Sequence, residues 1–250
     1  MNILRKIQNS VDKIAILIDP DKVQNIQKFT DFLKRIELLN PDFIFVGGST
    51  VDKESFTNCC EILKKETSLP IIIFPGAHHQ VSEHANGILF LSLLSGRNPD
   101  YLIGHQVQAA PVLKKMQLET IPTAYLLIDG GKPSSVSYVS QTTPIPNDQT
   151  TIAVNTVMAG EMMGNQIAFL DAGSGALQPV PYKMISEVKK NITIPLIIGG
   201  GIKTIQELDC CYQAGANIVV IGNKIEEDED FLLDLTNYFK KKESIDACQS

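Results

Sequence analysis

Long apolar runs are missing from this sequence. The longest, around residues 88–94, is far short of the roughly 20 residues a membrane helix needs. No export-like apolar segment stands in the opening MNILRKIQNSVDK. Metal-type or redox cysteine spacing is also absent. The five cysteines fall as Cys59-Cys60, Cys210-Cys211 and Cys248. An odd count with no CxxC fits a reducing cytosol and buried, unpaired thiols. There is no basic excess: Lys+Arg 22 against Asp+Glu 28 gives a net charge of −6. That excludes sequence-independent binding to nucleic acid, which needs a basic face. No low-complexity tract and no domain boundary interrupts the chain. A soluble, cytoplasmic protein folding as one domain over residues 1–250 is therefore expected. A chain of this length buries roughly 70–75% of its unfolded surface without staples.

What is present is a repeat of short apolar runs. They are IAILI (14–18), FIFV (43–46), IIIF (71–74), ILFL (88–91), AYLLI (124–128), IAFL (167–170), PLII (195–198) and NIVVIG (217–222). Continuous rather than alternating runs suit parallel strands covered on both faces. Amphipathic segments such as ESFTNCCEILKKE and TIQELDCCYQAG lie between most of them. Eight strands alternating with helices read as a (β/α)8 TIM barrel. Two irregularities stand out. PGAHHQVSEHANG, between the third and fourth strands, leaves little room for a helix, so that helix is expected to be short or absent. GGKPSSVSYVSQTTPIPNDQT, after the fifth, is long enough to read as a binding loop or lid.

In such a barrel the residues just after each strand form the active site. After strands six, seven and eight come DAGSGA, GGGIK and GNKI. Glycines admit positive φ and let a ligand approach the backbone. Consecutive N–H groups then make an anion nest, so these turns point to a phosphate ester. Opposite them, strand one delivers Asp19 and Lys22 in DPDK, and strand two delivers Ser49 in GGST. A carboxylate with a hydroxyl suits Mg²⁺ completed by substrate phosphates. The bland reading of Asp19 is a helix cap. Arg97 and His105 follow strand four, with Arg97 a candidate diphosphate ligand. His78, His79 and His84 lack a partner carboxylate at metal spacing and do not read as a zinc site.

With DPDK, GGST, LSLLSGRNP, DAGSGA, GGGI and GNKI in order on consecutive strands, the chain resembles the geranylgeranylglyceryl phosphate synthase family, which includes the bacterial heptaprenylglyceryl phosphate synthases. The likeness runs from about residue 14 to about residue 225. It implies a Mg²⁺-dependent prenyltransferase that joins a polyprenyl diphosphate, with geranylgeranyl expected, to the 3-hydroxyl of sn-glycerol 1-phosphate. The products are an ether-linked prenylglyceryl phosphate and diphosphate. It implies glycerol phosphate contacts at Phe169, Leu170, Asp171, Ala172, Gly173, Ser174, Gly175, Gly200, Gly201, Gly222 and Asn223. It places Mg²⁺ near Asp19 and Ser49, with the diphosphate by the metal; on residue type and position Lys22 and Arg97 are the candidate diphosphate ligands, and Asp171, one turn from the phosphate cup, is the candidate base. A homo-oligomer without a stable membrane anchor, touching a membrane only transiently, is implied as well. The family motif reads Tyr-Leu-Glu-Ala-Gly-Ser-Gly; here Phe169 brings no hydroxyl and Asp171 is one methylene shorter. Two other readings remain open on the residues alone. One is a sugar-phosphate isomerase or epimerase using Asp19 and Asp171 as an acid–base pair; the other is a phosphometabolite-binding protein without catalysis.

Overall fold

The structure is a computed structural model describing residues 2–23, 26–228 and 230–249. Eight strands, β1 (Lys13–Ile18), β2 (Phe43–Val46), β3 (Ile71–Ile73), β4 (Gly87–Leu93), β5 (Glu119–Leu127), β6 (Ile167–Asp171), β7 (Leu196–Gly199) and β8 (Ile218–Ile221), pair in parallel and in sequence order. β1 closes on β8, with Ala15 opposite Val220 and Ile16 opposite Ile221. The expected TIM barrel is the fold found. The strands are buried on both faces because successive side chains alternate between two separate cores. Ile14, Ile16, Ile44, Val46, Leu170 and Ile198 point outward against the helices. Ala15, Phe43, Phe45, Ile72, Phe169 and Ile197 fill the barrel interior.

The helices are α1 (Ile3–Gln8), α2 (Ile26–Leu39), α3 (Lys53–Glu66), α4 (His105–Met116), α5 (Ser135–Ser140), α6 (Thr150–Met162), α7 (Tyr182–Asn191), α8 (Ile205–Gln213), α9 (Asn223–Glu227) and α10 (Asp230–Gln249). Sequence sets their limits. Asp52 caps α3 by accepting from Glu54 N and Ser55 N, and Thr204 with Glu207 forms a capping box that starts α8. Cys59, Cys60 and Cys211 are buried and unpaired, and Cys210 is half-buried and unpaired. The side chain of Cys248 lies outside the described residues.

No helix forms between β3 and β4. Gln80 does the work of one, although wholly buried. Its Nε2 donates to the carbonyls of Gly48 (2.9 Å) and Val51 (3.2 Å), and its Oε1 accepts from Gly76 N (2.8 Å). The turn is thereby tied to the end of β2. At the amino end of the barrel, α1 lies across the opening, with Ile3 and Ile7 in the interior core. Glu119, the first residue of β5, accepts from Ile3 N and Leu4 N, each at 2.8 Å. No described helix is long and apolar enough to cross a membrane.

Candidate active site

The barrel opens at the carboxyl ends of its strands into a cavity of about 540 Å³. Phe74, just past β3, stacks on Phe169 at 5.0 Å between ring centres. Both meet the Tyr125 ring edge-on at 5.6 Å. These three aromatic rings line the cavity. The same cavity includes an apolar groove lined by Val81, Ile88, Phe90, Leu91 and Ala109.

The glycine cup is part of the same lining. Gly173, Gly175, Gly200 and Gly201 all have positive φ, at +90°, +67°, +81° and +73°. Any Cβ at Gly200 would lie 2.7 Å from Gly173 N, and one at Gly201 2.4 Å from the Gln178 carbonyl oxygen. Only glycine fits either place, and the two turns are consequently packed backbone to backbone. Ser174 Oγ bonds Asn223 Oδ1 across the cup at 3.0 Å.

Asp171 ends β6 beneath this cup and is almost wholly buried. Its Oδ1 accepts from Gly173 N at 2.8 Å and its Oδ2 from the Tyr125 hydroxyl at 2.7 Å. Burial raises the carboxyl above the ordinary aspartate value, and the two hydrogen bonds oppose that rise. Burial, with the Asp171 charge, likewise holds the Tyr125 hydroxyl well above its usual value, so it stays a proton donor in this pair. The result is a stiffly held carboxylate that is more basic than a solvated one.

Of the residues expected from sequence, Asp19, Ser49, Phe169, Asp171, Ser174, Gly175, Gly200, Gly201, Gly222 and Asn223 all line this one cavity. Leu170 and Ala172 do not, because strand alternation turns them into the outer core; Gly173 faces Ser134. Any contact from these three to a ligand is through backbone. Arg97 departs from expectation. Its Nη1 donates to the carbonyls of Leu94 (2.6 Å) and Gly96 (2.8 Å), tying down the turn after β4, and it does not line the cavity. Lys22 ends a 3₁₀ turn, Pro20–Lys22, and also lies outside the lining.

Asp19 caps that turn through Asp21 N (3.1 Å). A Cβ at Gly48 would stand 3.0 Å from Asp19 Oδ1, so Gly48 lets the β2 loop close on the carboxylate. Asp21 also lines the cavity, and its carboxyl is raised by burial and then by the charges of Asp19 and Asp52. No group of three or more His, Cys, Asp or Glu suited to a metal occurs among the described residues. Asp19, Asp21 and Ser49 form an all-oxygen set with surplus negative charge. That set fits a hard ion that keeps waters and takes further oxygens from a phosphorylated substrate. His79 bonds the Val51 carbonyl (3.1 Å), and His78 and His105 face each other at the cavity wall.

Sequence reasoning missed Tyr125 and Gln80. Tyr125 reads as one aromatic in an apolar run. Its role becomes visible only from register, which pairs it with Phe169 and sets it beside Asp171.

Residues 3–239 match the PcrB family. A geranylgeranylglyceryl phosphate synthase of Flavobacterium johnsoniae is 47% identical over 229 residues, 92% of this chain and 94% of that protein. One of Chitinophaga pinensis is 44% identical over 227 residues, 91% of this chain and 90% of its own. Among solved structures, (S)-3-O-geranylgeranylglyceryl phosphate synthase of Thermoplasma acidophilum, in complex with its substrate sn-glycerol-1-phosphate, superposes with a TM-score of 0.87. It is 34% identical, covering 94% of this chain and 96% of that one.

Proposed function

The chain belongs to the PcrB family, and from that membership we propose that it is a prenyltransferase joining a polyprenyl diphosphate, geranylgeranyl by preference, to sn-glycerol 1-phosphate. The observation that carries this reading is the continuity of one cavity. It runs from the glycine cup, past the buried Asp171, into an apolar groove. A phosphate-binding isomerase has no use for such a groove.

In this reading the cup binds the acceptor's phosphate and holds its 3-hydroxyl toward Asp171. The prenyl tail occupies the groove by hydrophobic contact. Asp171 takes the hydroxyl proton as the oxygen bonds to C1 of the prenyl chain; the C1–oxygen bond to diphosphate breaks and diphosphate leaves with that electron pair. Raised basicity suits Asp171 to this task. Tyr125 and Gly173 N fix its orientation, which matters more for aspartate than for the longer glutamate. The stacked Phe74 and Phe169 keep water from the reacting carbon. Asp19 and Ser49, with Asp21 beside them, would hold Mg²⁺. When bound there, the ion would neutralise charge on the diphosphate leaving group. In this reading Lys22, which ends the turn that Asp19 caps, and Arg97, held on the turn after β4, add positive charge for the diphosphate from outside the cavity lining. The protein acts in the cytoplasm as a homo-oligomer. The exposed apolar side chains of α4 and α6, Val107 and Met162 among them, support self-association or passing contact with a membrane surface.

The test is incubation of the purified protein with Mg²⁺, sn-glycerol 1-phosphate and labelled geranylgeranyl diphosphate, scoring label in an extractable phospholipid. Product that disappears with EDTA, and with sn-glycerol 3-phosphate as acceptor, is expected. Absence of product at every prenyl length would defeat the reading.

A further inference from the structure

The linker between β5 and α6 does not loop away from the barrel. Its later part lies parallel to the end of β5: Ile145 N bonds the Leu127 carbonyl and Asp129 N bonds the Ile145 carbonyl, both at 2.9 Å. Its first residues are pinned onto the glycine turn after β6. The Gly130 carbonyl accepts from Leu177 N (2.8 Å) and Gln178 N (3.3 Å). A Cβ at Gly130 would fall 2.5 Å from the Ala172 carbonyl oxygen. Gly131 turns the chain with φ +86°, and Ser134 packs so closely on Gly173 that a Cβ there would approach Ser134 Cβ to 2.8 Å.

Between these fixed points stands Lys132. A Cβ on Gly175 would lie 3.0 Å from its Nζ and 3.9 Å from Asn223 Nδ2. The ammonium and the amide donor therefore converge over the same glycine in the cup. Asn223 Oδ1 is already taken by Ser174 Oγ, which leaves its Nδ2 facing inward. Lys132 lines the cavity and has no hydrogen-bond or ion-pair partner in the described structure. The other lysines of that rim are engaged: Lys203 Nζ donates to the Leu177 carbonyl (3.0 Å), and Lys224 pairs with Asp228 (2.7 Å).

We propose that Lys132 is the cationic ligand of the acceptor's phosphate, carried into the glycine cup by the β5–α6 linker. This rests on reading the cup as the acceptor's phosphate site. Charge balance favours such a group. A phosphate monoester is close to a dianion at neutral pH, whereas the cup offers only uncharged N–H and amide donors, with anionic Asp171 beneath. One ammonium offsets that charge and adds a charge-assisted hydrogen bond. It also makes the site selective for the phosphate over an uncharged polyol.

The experiment compares the wild-type chain with Lys132→Met and Lys132→Arg. Calorimetric titration with sn-glycerol 1-phosphate, and separately with inorganic phosphate, gives the affinities; steady-state assays give KM and kcat. Loss of one hydrogen bond to a charged group predicts affinity for both ligands about 10- to 100-fold weaker in Lys132→Met. KM for the acceptor should rise in step, kcat should stay within about threefold, and Lys132→Arg should keep most of the affinity. The side chain is exposed, so the melting temperature should not move. Undiminished affinity in Lys132→Met would overturn the proposal and leave the cup reading standing. Failure of the wild-type chain to bind either ligand would remove the cup reading and, with it, the role of Lys132.

Discussion

At the amino end of the barrel, α1 lies across the opening, Ile3 and Ile7 fill it, and Glu119 satisfies two amides of the first helical turn. At the carboxyl end the same eight strands stop in glycine turns around an open cavity, with a carboxylate buried beneath a cup of backbone donors. One end uses side chains to remove space. The other gives side chains up to make it. Stability and activity should therefore separate by end, and substitutions can break that separation or sharpen it.

The largest effect is expected at Asp171. Asp171→Asn removes the proposed base and should lower kcat about 10²- to 10⁴-fold. Burial holds this carboxyl above the ordinary aspartate value of 3.8. A raised acid stabilises the fold only in its protonated form, so its contribution is lost as pH rises, and at neutral pH the charged group is a cost. The variant should accordingly melt no lower than wild type at pH 7. Any advantage should shrink as pH falls toward 3.8. A clear drop in melting temperature at pH 7 would show that the two ends do not divide as stated.

Ile7→Ala tests the other end. Emptying a fully buried site should cost about 2–5 kcal/mol in denaturant titration, while kcat of the folded fraction stays the same. Tyr125→Phe comes next. It removes one of two donors to the Asp171 carboxylate, worth about 1.5–3 kcal/mol for a charged acceptor. The acid limb of the kcat/KM profile should then move up by about one pH unit or more. A limb that does not move would mean Tyr125 only fills space. The smallest change is Glu119→Gln, which keeps one acceptor oxygen for two amides. It should lower stability by about 1 kcal/mol and leave the pH profile unmoved.

The same contrast explains what could be read from sequence. The eight apolar runs marked the strands because both faces of a parallel strand are buried, and this leaves an unbroken signal. The glycine turns and Asp171 were legible because each follows its apolar run directly. Interactions set by register between distant segments were not. Glu119 and Thr120 look too polar to begin a strand, yet β5 starts at Glu119 because that side chain is needed by α1. The α1 segment ILRKIQ is too short to show helical periodicity. Tyr125 looks like core until Phe169 and Asp171 are set beside it. Arg97 looks like an anion ligand until two carbonyls are found on its Nη1.

The seal at the amino end also constrains the order in which the molecule can assemble. Ile3 and Leu4 bond a residue 116 and 115 positions further along the chain. Ser10 and Lys13 receive bonds from Asn217 and Tyr212, 207 and 199 positions away. The first dozen residues thus have no finished surroundings until the middle and the end of the chain have arrived. Contacts of such long reach are slow to form. The fastening of the beginning therefore cannot be completed before the end is made, and a chain halted anywhere before β8 lacks the strand on which β1 closes.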